Sequence, residues 1–132
     1  MSGETDLERM LATLVVTRQP DPVAYVTIAD GDAPDLDLHP WAVVKEAEGT
    51  TLVLDAAAAR AAGLPFEGEW AWLSLEVHSS LHAVGLTAAL SGALAGAGIP
   101  ANVIAGFLHD HVLVPSDRAD EAVAVLQGLR GR

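Results

Sequence analysis

Residues 70–77 read WAWLSLEV, and this alternation constrains the fold more than any other stretch. In an extended chain, Ala71, Leu73, Leu75 and Val77 face one way and Trp70, Trp72, Ser74 and Glu76 the other. Period-two patterning of this kind predicts a strand with one packed face. The next segment, VGLTAALSGALAGAG at 84–98, can cover that face. It sets Leu86, Leu90, Leu94 and Ala97 on one helical stripe, with Gly98 where a left-handed cap belongs. Ser79 or Ser80 is the expected N-cap. ANVIAGF (101–107) and VLVP (112–115) then read as strands joined by a hairpin tip, LHDH. SDRADEAVAVLQGL predicts a last helix with Ser116 as its cap and Ala119, Ala122, Val123, Leu126 and Leu129 inward. From Trp70 the order is therefore β-α-β-β-α.

The first half is less regular. Asp6 can cap a short helix reaching Leu14. TRQPDP interrupts the chain with two prolines, and VAYVTIA (23–29) reads as a strand. DGDAPDLDLHP is a polar loop. WAVVKEAEGTTLVLD predicts a hairpin with strands at 41–46 and 50–54 turning at Glu48-Gly49, and AAAARAAG a short helix stopped by Gly63. LPFEGE (64–69) is a plausible seam.

These patterns predict an α+β fold of two ferredoxin-like lobes, 1–66 and 67–132, with antiparallel sheets covered by helices on one face. The second lobe lacks a closing strand, which an exchanged strand such as 23–29 would supply.

Composition removes several functions. A net charge of −11 repels a phosphate backbone, so nucleic acid is not an expected partner. The absence of cysteine excludes disulfides, thiolate metal sites and cysteine nucleophiles. No apolar run reaches the roughly 18 residues of a membrane span, and the N-terminus lacks a signal core, which leaves a cytoplasmic protein as the expectation. Gly92, Gly96 and Gly98 lie in or at the end of a helix, so they form no dinucleotide fingerprint. Trp41, Trp70 and Trp72 suit core or interface positions, and Lys45 the surface.

Topology gathers the polar residues. A right-handed crossover from the 70–77 strand brings the next strand up in the same direction. HSSLHAVG and LHDH then become neighbours, placing His78, Ser79, Ser80, His82, His109, Asp110 and His111 on one rim. Three readings stay open. These are turn and cap residues; or they form a small-molecule rim, with Asp110 accepting from a ligand cation and the helix start holding a carboxylate; or His78, His82, His109 and His111 hold a metal. Zinc is met here by ligand count rather than by spacing, since a turn at Asp110 would break the HxH register. A serine hydrolase has the residue types but no G-x-S-x-G elbow.

EVHSSLHAVGLTAALSGALAGAGIPANVIAGFLHDHVLVPSDRADEAVAVL resembles the stand-alone bacterial ACT-domain proteins, and MSGETDLERML and EAEGTTLVL resemble the family's first half. The resemblance implies two ACT-like βαββαβ lobes in a non-enzymatic regulator without a cofactor, forming a homodimer. It further implies a small-molecule ligand, an amino acid, bound between lobes or subunits. Carried across by position, it points to Ser79, Ser80, Leu81 and Gly85 in the loop after the first strand, and to Ile104, His109 and Asp110 on the hairpin. Pro100-Ala101 and Phe107-Leu108 depart from the family pattern. A dimeric interaction module without ligand is the alternative, and a histidine metal site a third.

Overall fold

The computed structural model describes residues 6–77 and 84–131. The chain divides into two compact units. Met1–Gln19 packs with Ala71–Arg132, here the split unit, and Pro20–Trp70 forms the central unit. The seam expected at 64–69 adjoins Trp70, where the central unit ends, whereas the first nineteen residues pack with the second half.

The split unit contains α1 (Leu7–Ala12) and β1 (Val15–Arg18), then β5 (Trp70–Glu76), which begins at the central unit's last residue. It continues through α3 (Leu86–Gly96), β6 (Asn102–Ala105), β7 (Asp110–Pro115) and α4 (Ala119–Gln127). Its strand order is β1-β5-β7-β6. The strand that joins this sheet beside β5 is Val15–Arg18, where the sequence offered 23–29. β1 runs antiparallel to β5 with Val15 opposite Glu76 and Arg18 opposite Leu73. Gln127 fastens it to α4: its Oε1 accepts from the Val16 amide at 2.8 Å, and its Nε2 donates to the Leu14 carbonyl at 3.3 Å.

The alternation at 70–77 works as expected. Ala71, Leu73, Leu75 and Val77 enter one core with Met10, Leu14, Leu86, Leu90, Leu94, Val112, Val114, Ala122 and Leu126. Burying each large aliphatic side chain contributes about 1.5–3 kcal/mol. Gly98 adopts the left-handed cap (φ 72°). Arg118 closes that helix end, donating to the Gly98 carbonyl at 2.7 Å and the Ala97 carbonyl at 3.2 Å.

Two expected caps move. Gly85, not Ser79 or Ser80, occupies the N-cap of α3, in the left-handed region at φ 99°. Ser116 opens a 3₁₀ turn, and Arg118 takes the N-cap of α4 without a side-chain bond. The hairpin tip also shifts. Gly106 to His109 form the turn, with the Gly106 amide donating to the His109 carbonyl at 2.9 Å, and Asp110 already pairs with Ala105 in the ladder.

The central unit contains β2 (Val23–Ala29), β3 (Ala42–Lys45), β4 (Gly49–Asp55) and α2 (Ala56–Ala61), in sheet order β3-β4-β2. Trp70 pairs with Val23 and closes this lobe. One cluster of its core gathers Val26, Leu52, Leu54 and Ala59, with Ile28, Leu38, Leu64 and Phe66 packed against it, and Val23, Ala24, Val53 and Ala56 are buried as well. A full βαββαβ lobe has a helix between its first two strands. Here residues 30–41 carry one 3₁₀ turn, Leu36–Leu38, instead. DGDAPDLDLHP explains this, because Gly31, Pro34, Pro40 and a run of aspartates all disfavour a helix interior.

Candidate functional site

The second strand pair of the split unit sets the geometry. β6 and β7 place Ile104 opposite His111 and Ala105 opposite Asp110. Asp110 is thus the first residue of β7, which corrects the expectation of a turn at that position. Its polarity resembled a turn, yet ladder pairing satisfies its backbone.

Ser74 and Trp72, on the face of β5 turned away from the helices, meet the same hairpin. Ser74 Oγ and His111 Nδ1 form a hydrogen bond at 2.9 Å. The Trp72 and His111 rings lie 5.0 Å apart at 34°, and Trp72 is buried. The end of β5 and the start of β7 therefore share a rim. Strand alternation turns Trp72 and Ser74 away from the packed face but does not by itself assign them to the rim. The signal was there: a serine and a tryptophan two residues apart on the same face of a strand.

The groups differ in their electrostatics. Burial pushes the Asp110 carboxyl above the usual carboxylate range, and the neighbouring His111 pulls it partly back. Burial also lowers the His111 imidazole, His109 lowers it further, and Asp110 opposes both. His109 is half-buried, and its Nδ1 is enclosed without a hydrogen-bond partner among the described residues. Gly106 makes the close approach possible: a Cβ there would stand 2.7 Å from the His109 carbonyl oxygen and 3.1 Å from His111 Nε2.

Of the residues singled out in the sequence, Ile104, His109, Asp110 and His111 lie together on this hairpin. Gly85 caps α3, with Leu7 Cδ2 3.4 Å from where its Cβ would be. His78, Ser79, Ser80, Leu81 and His82 lie outside the described residues. Among the described residues no three His, Asp or Glu side chains are grouped to hold a metal. A half-buried carboxyl that is costly to ionise can receive a cationic donor, and an enclosed imidazole nitrogen without a partner among the described residues can receive a polar contact.

An ACT domain model matches residues 2–71. The chain belongs to the ACT-domain family. A second ACT domain model matches residues 67–128, so two ACT-like lobes account for the fold. This ACT protein is similar to a Vibrio cholerae protein of unknown function, described as a possible transport protein. The two share 39% identity with a TM-score of 0.85, over 94% of this chain and 95% of that one. A protein from Agrobacterium tumefaciens matches at 13% identity and a TM-score of 0.75, over 89% of each chain. The ligand-free regulatory subunit of aspartate kinase from Thermus thermophilus matches at 12% identity and a TM-score of 0.64, covering 86% of this chain and 95% of that subunit. These last two likenesses concern the fold alone. No curated protein sequence matches. Among the described residues no helix is long and apolar enough to cross a membrane.

Proposed function

We propose that this ACT protein is a non-enzymatic regulator that binds a small molecule, an amino acid, at the rim formed by the loop after β5 and the β6–β7 hairpin. The supporting observations lie on two successive residues of the hairpin, His109 and Asp110. Asp110 is held where an unmet negative charge is costly. The Nδ1 of His109 is enclosed without a partner among the described residues. A ligand ammonium would offset the first, and a second polar group on the ligand would satisfy the other. Ser79, Ser80, Leu81 and Gly85 would supply the opposite side, through the loop and the start of α3. Binding would stiffen the rim and shift the arrangement of lobes or subunits, and that shift would carry the signal.

We read 1–66 and 67–132 as the two ACT-like lobes in chain order. The matches at 2–71 and 67–128 support this division, although Met1–Gln19 packs with Ala71–Arg132. The assembly is read as a homodimer, and the absence of cysteine suits a reducing cytoplasm.

Thermal shift against the twenty amino acids tests the reading. Free ligand at a hundredfold over Kd stabilises by about 2.7 kcal/mol, a clear rise in Tm. At least one amino acid should give it, and Asp110→Ala combined with Ser79→Ala should erase it while leaving the fold intact. If no amino acid shifts Tm, the sensor reading fails. A second reading, a dimeric interaction module without ligand, draws on the hairpin tip, where Phe107 and Leu108 are 79% and 73% exposed. It requires that Phe107→Ser with Leu108→Ser reduce the measured mass to a monomer in light scattering.

A further inference from the structure

The central unit has an open cavity of about 870 Å³, lined by Asp37, Leu38, His39, Pro40, Trp41 and Asp55 together with alanines of α2 and the residue that ends it. It lies between the 30–41 crossover and α2, so the crossover that lacks a helix forms one of its walls. Its chemistry is one-sided. Two aspartates and no lysine or arginine line it.

Trp41 and Asp55 form a coupled pair at its edge. The Trp41 indole Nε1 donates to Asp55 Oδ1 at 2.9 Å, and the Trp41 amide donates to the Val53 carbonyl at 2.6 Å, which fixes both ends of the residue. Trp41 nonetheless stays 43% exposed, unusual for a tryptophan held this firmly. Asp55 stands at the N-cap of α2 yet makes no side-chain cap bond there; its carboxylate serves the indole instead. A fixed, half-exposed indole beside a carboxylate, above a floor of alanine methyls, matches the requirements of an organic cation: a π face, a counter-charge and an apolar contact for the stem.

We infer that this cavity is a second ligand site, separate from the hairpin, which takes a small organic cation with an ammonium or guanidinium group on an apolar stem. Asp55 and Asp37 meet the charge and Trp41 stacks on the cation or its stem. The alanines leave room that larger side chains would fill.

The test uses the full ¹⁵N-labelled chain and agmatine, which carries both cationic groups and no carboxylate. The Trp41 indole resonance, identified by its loss in Trp41→Phe, should shift saturably, together with the amides of Ala58 and Ala61. Asp55→Asn should weaken binding about tenfold, the scale of one charge-assisted hydrogen bond. Asp37→Asn, at an exposed position, should weaken it less and serves if Asp55→Asn does not fold. Asp120→Asn, in the split unit, should leave the affinity unchanged. The proposal is overturned if the Trp41 signal does not move. It is equally overturned by unsaturable shifts spread over exposed acids such as Asp30 and Asp32, or by a wild-type affinity in both Asp37→Asn and Asp55→Asn.

Discussion

The two units solve one topological problem with unequal material. In the split unit, α3 and α4 both cover the sheet, and α1 adds Met10 and Leu11 to the same core. In the central unit, α2 is the one helix between β2 and Trp70, and a crossover rich in aspartate, glycine and proline stands where another would be. The first arrangement yields a continuous aliphatic core. The second yields a smaller core and an open cavity beside it. A lobe that gives up a helix gives up burial, the main source of its stability, and gains a surface concave enough to hold something.

The strongest way to break this contrast is to cut both cores. Leu90 is fully buried within α3, whereas Leu64 only packs against the edge of the central core. Leu90→Ala should cost about 2–5 kcal/mol in urea unfolding, from lost transfer energy and the cavity left behind. Leu64→Ala should cost about half as much or less, since a partly exposed leucine has less to lose. Equal losses would mean that the central unit depends on its few apolar contacts as heavily as the split unit does.

Two glycines sharpen the comparison at the level of backbone. A Cβ on Gly49, where β4 meets the end of β2, would run into the Ile28 carbonyl oxygen. A Cβ on Gly106 would stand 2.7 Å from the His109 carbonyl oxygen. Each alanine substitution should cost about 1–3 kcal/mol. Gly106→Ala should also displace His111 from Ser74, visible as a shifted imidazole resonance. Gly49→Ala should leave that resonance in place.

The sequence reveals more of the split unit than of the central one, for a physical reason. Where a segment is long and has one packed face, as at 70–77 and 86–96, periodicity reports burial directly. β1 could not be read this way. VVTR is four residues long, offers little alternation and is held by a distant partner, Gln127. The hairpin was placed two residues too late because HDH is polar and Phe107-Leu108 is not. The turn carries the two exposed apolar residues, while His111 finds its partners on β5. The pattern suggests that a helix is missing, since 30–40 reads as a loop, but not the cavity beside it, which needs α2 as a second wall. His109, Asp110 and His111 are neighbours in sequence, and their expected approach to residues 78–82 lies outside the described residues. Trp72 and Ser74 were missed because strand alternation says which way a side chain faces, not what stands opposite.

Acidity acts on the split unit through His111. Its folded-state pKa lies below the ordinary imidazole value of about 6.5. The folded chain therefore binds that proton less readily than the unfolded one. Stability is full above the ordinary value and falls as pH drops through it toward the depressed one. Asp110 works in the opposite sense and at lower pH. Its raised value makes the folded chain the better proton acceptor, so its contribution is lost as pH rises through the carboxylate range. Urea midpoints measured from pH 7.5 down to about 5 should decline, and His111→Asn should flatten that decline. An unchanged slope in the variant would assign the pH response elsewhere.

The smallest difference expected is at the surface, and it inverts the ranking of the two units. Arg18 and Asp120 form an ion pair at 3.0 Å in the split unit, but the Asp120 side chain is 99% exposed. Water and salt screen such a pair, so Asp120→Ala should change stability by less than about 0.5 kcal/mol. In the central unit Arg60 pairs with Glu69 and also lies over the Phe66 ring at 5.3 Å. Arg60→Ala removes the ion pair, the cation–π contact and the cover that the arginine stem gives to a small core, and should cost about 1 kcal/mol. The larger loss would fall in the unit with less core, because there a surface side chain takes over part of the covering that a helix provides in the other lobe. Raising the salt concentration separates the contributions. It should weaken what remains of the Arg18 pair and leave most of the Arg60 effect intact, since stacking and apolar cover are not screened.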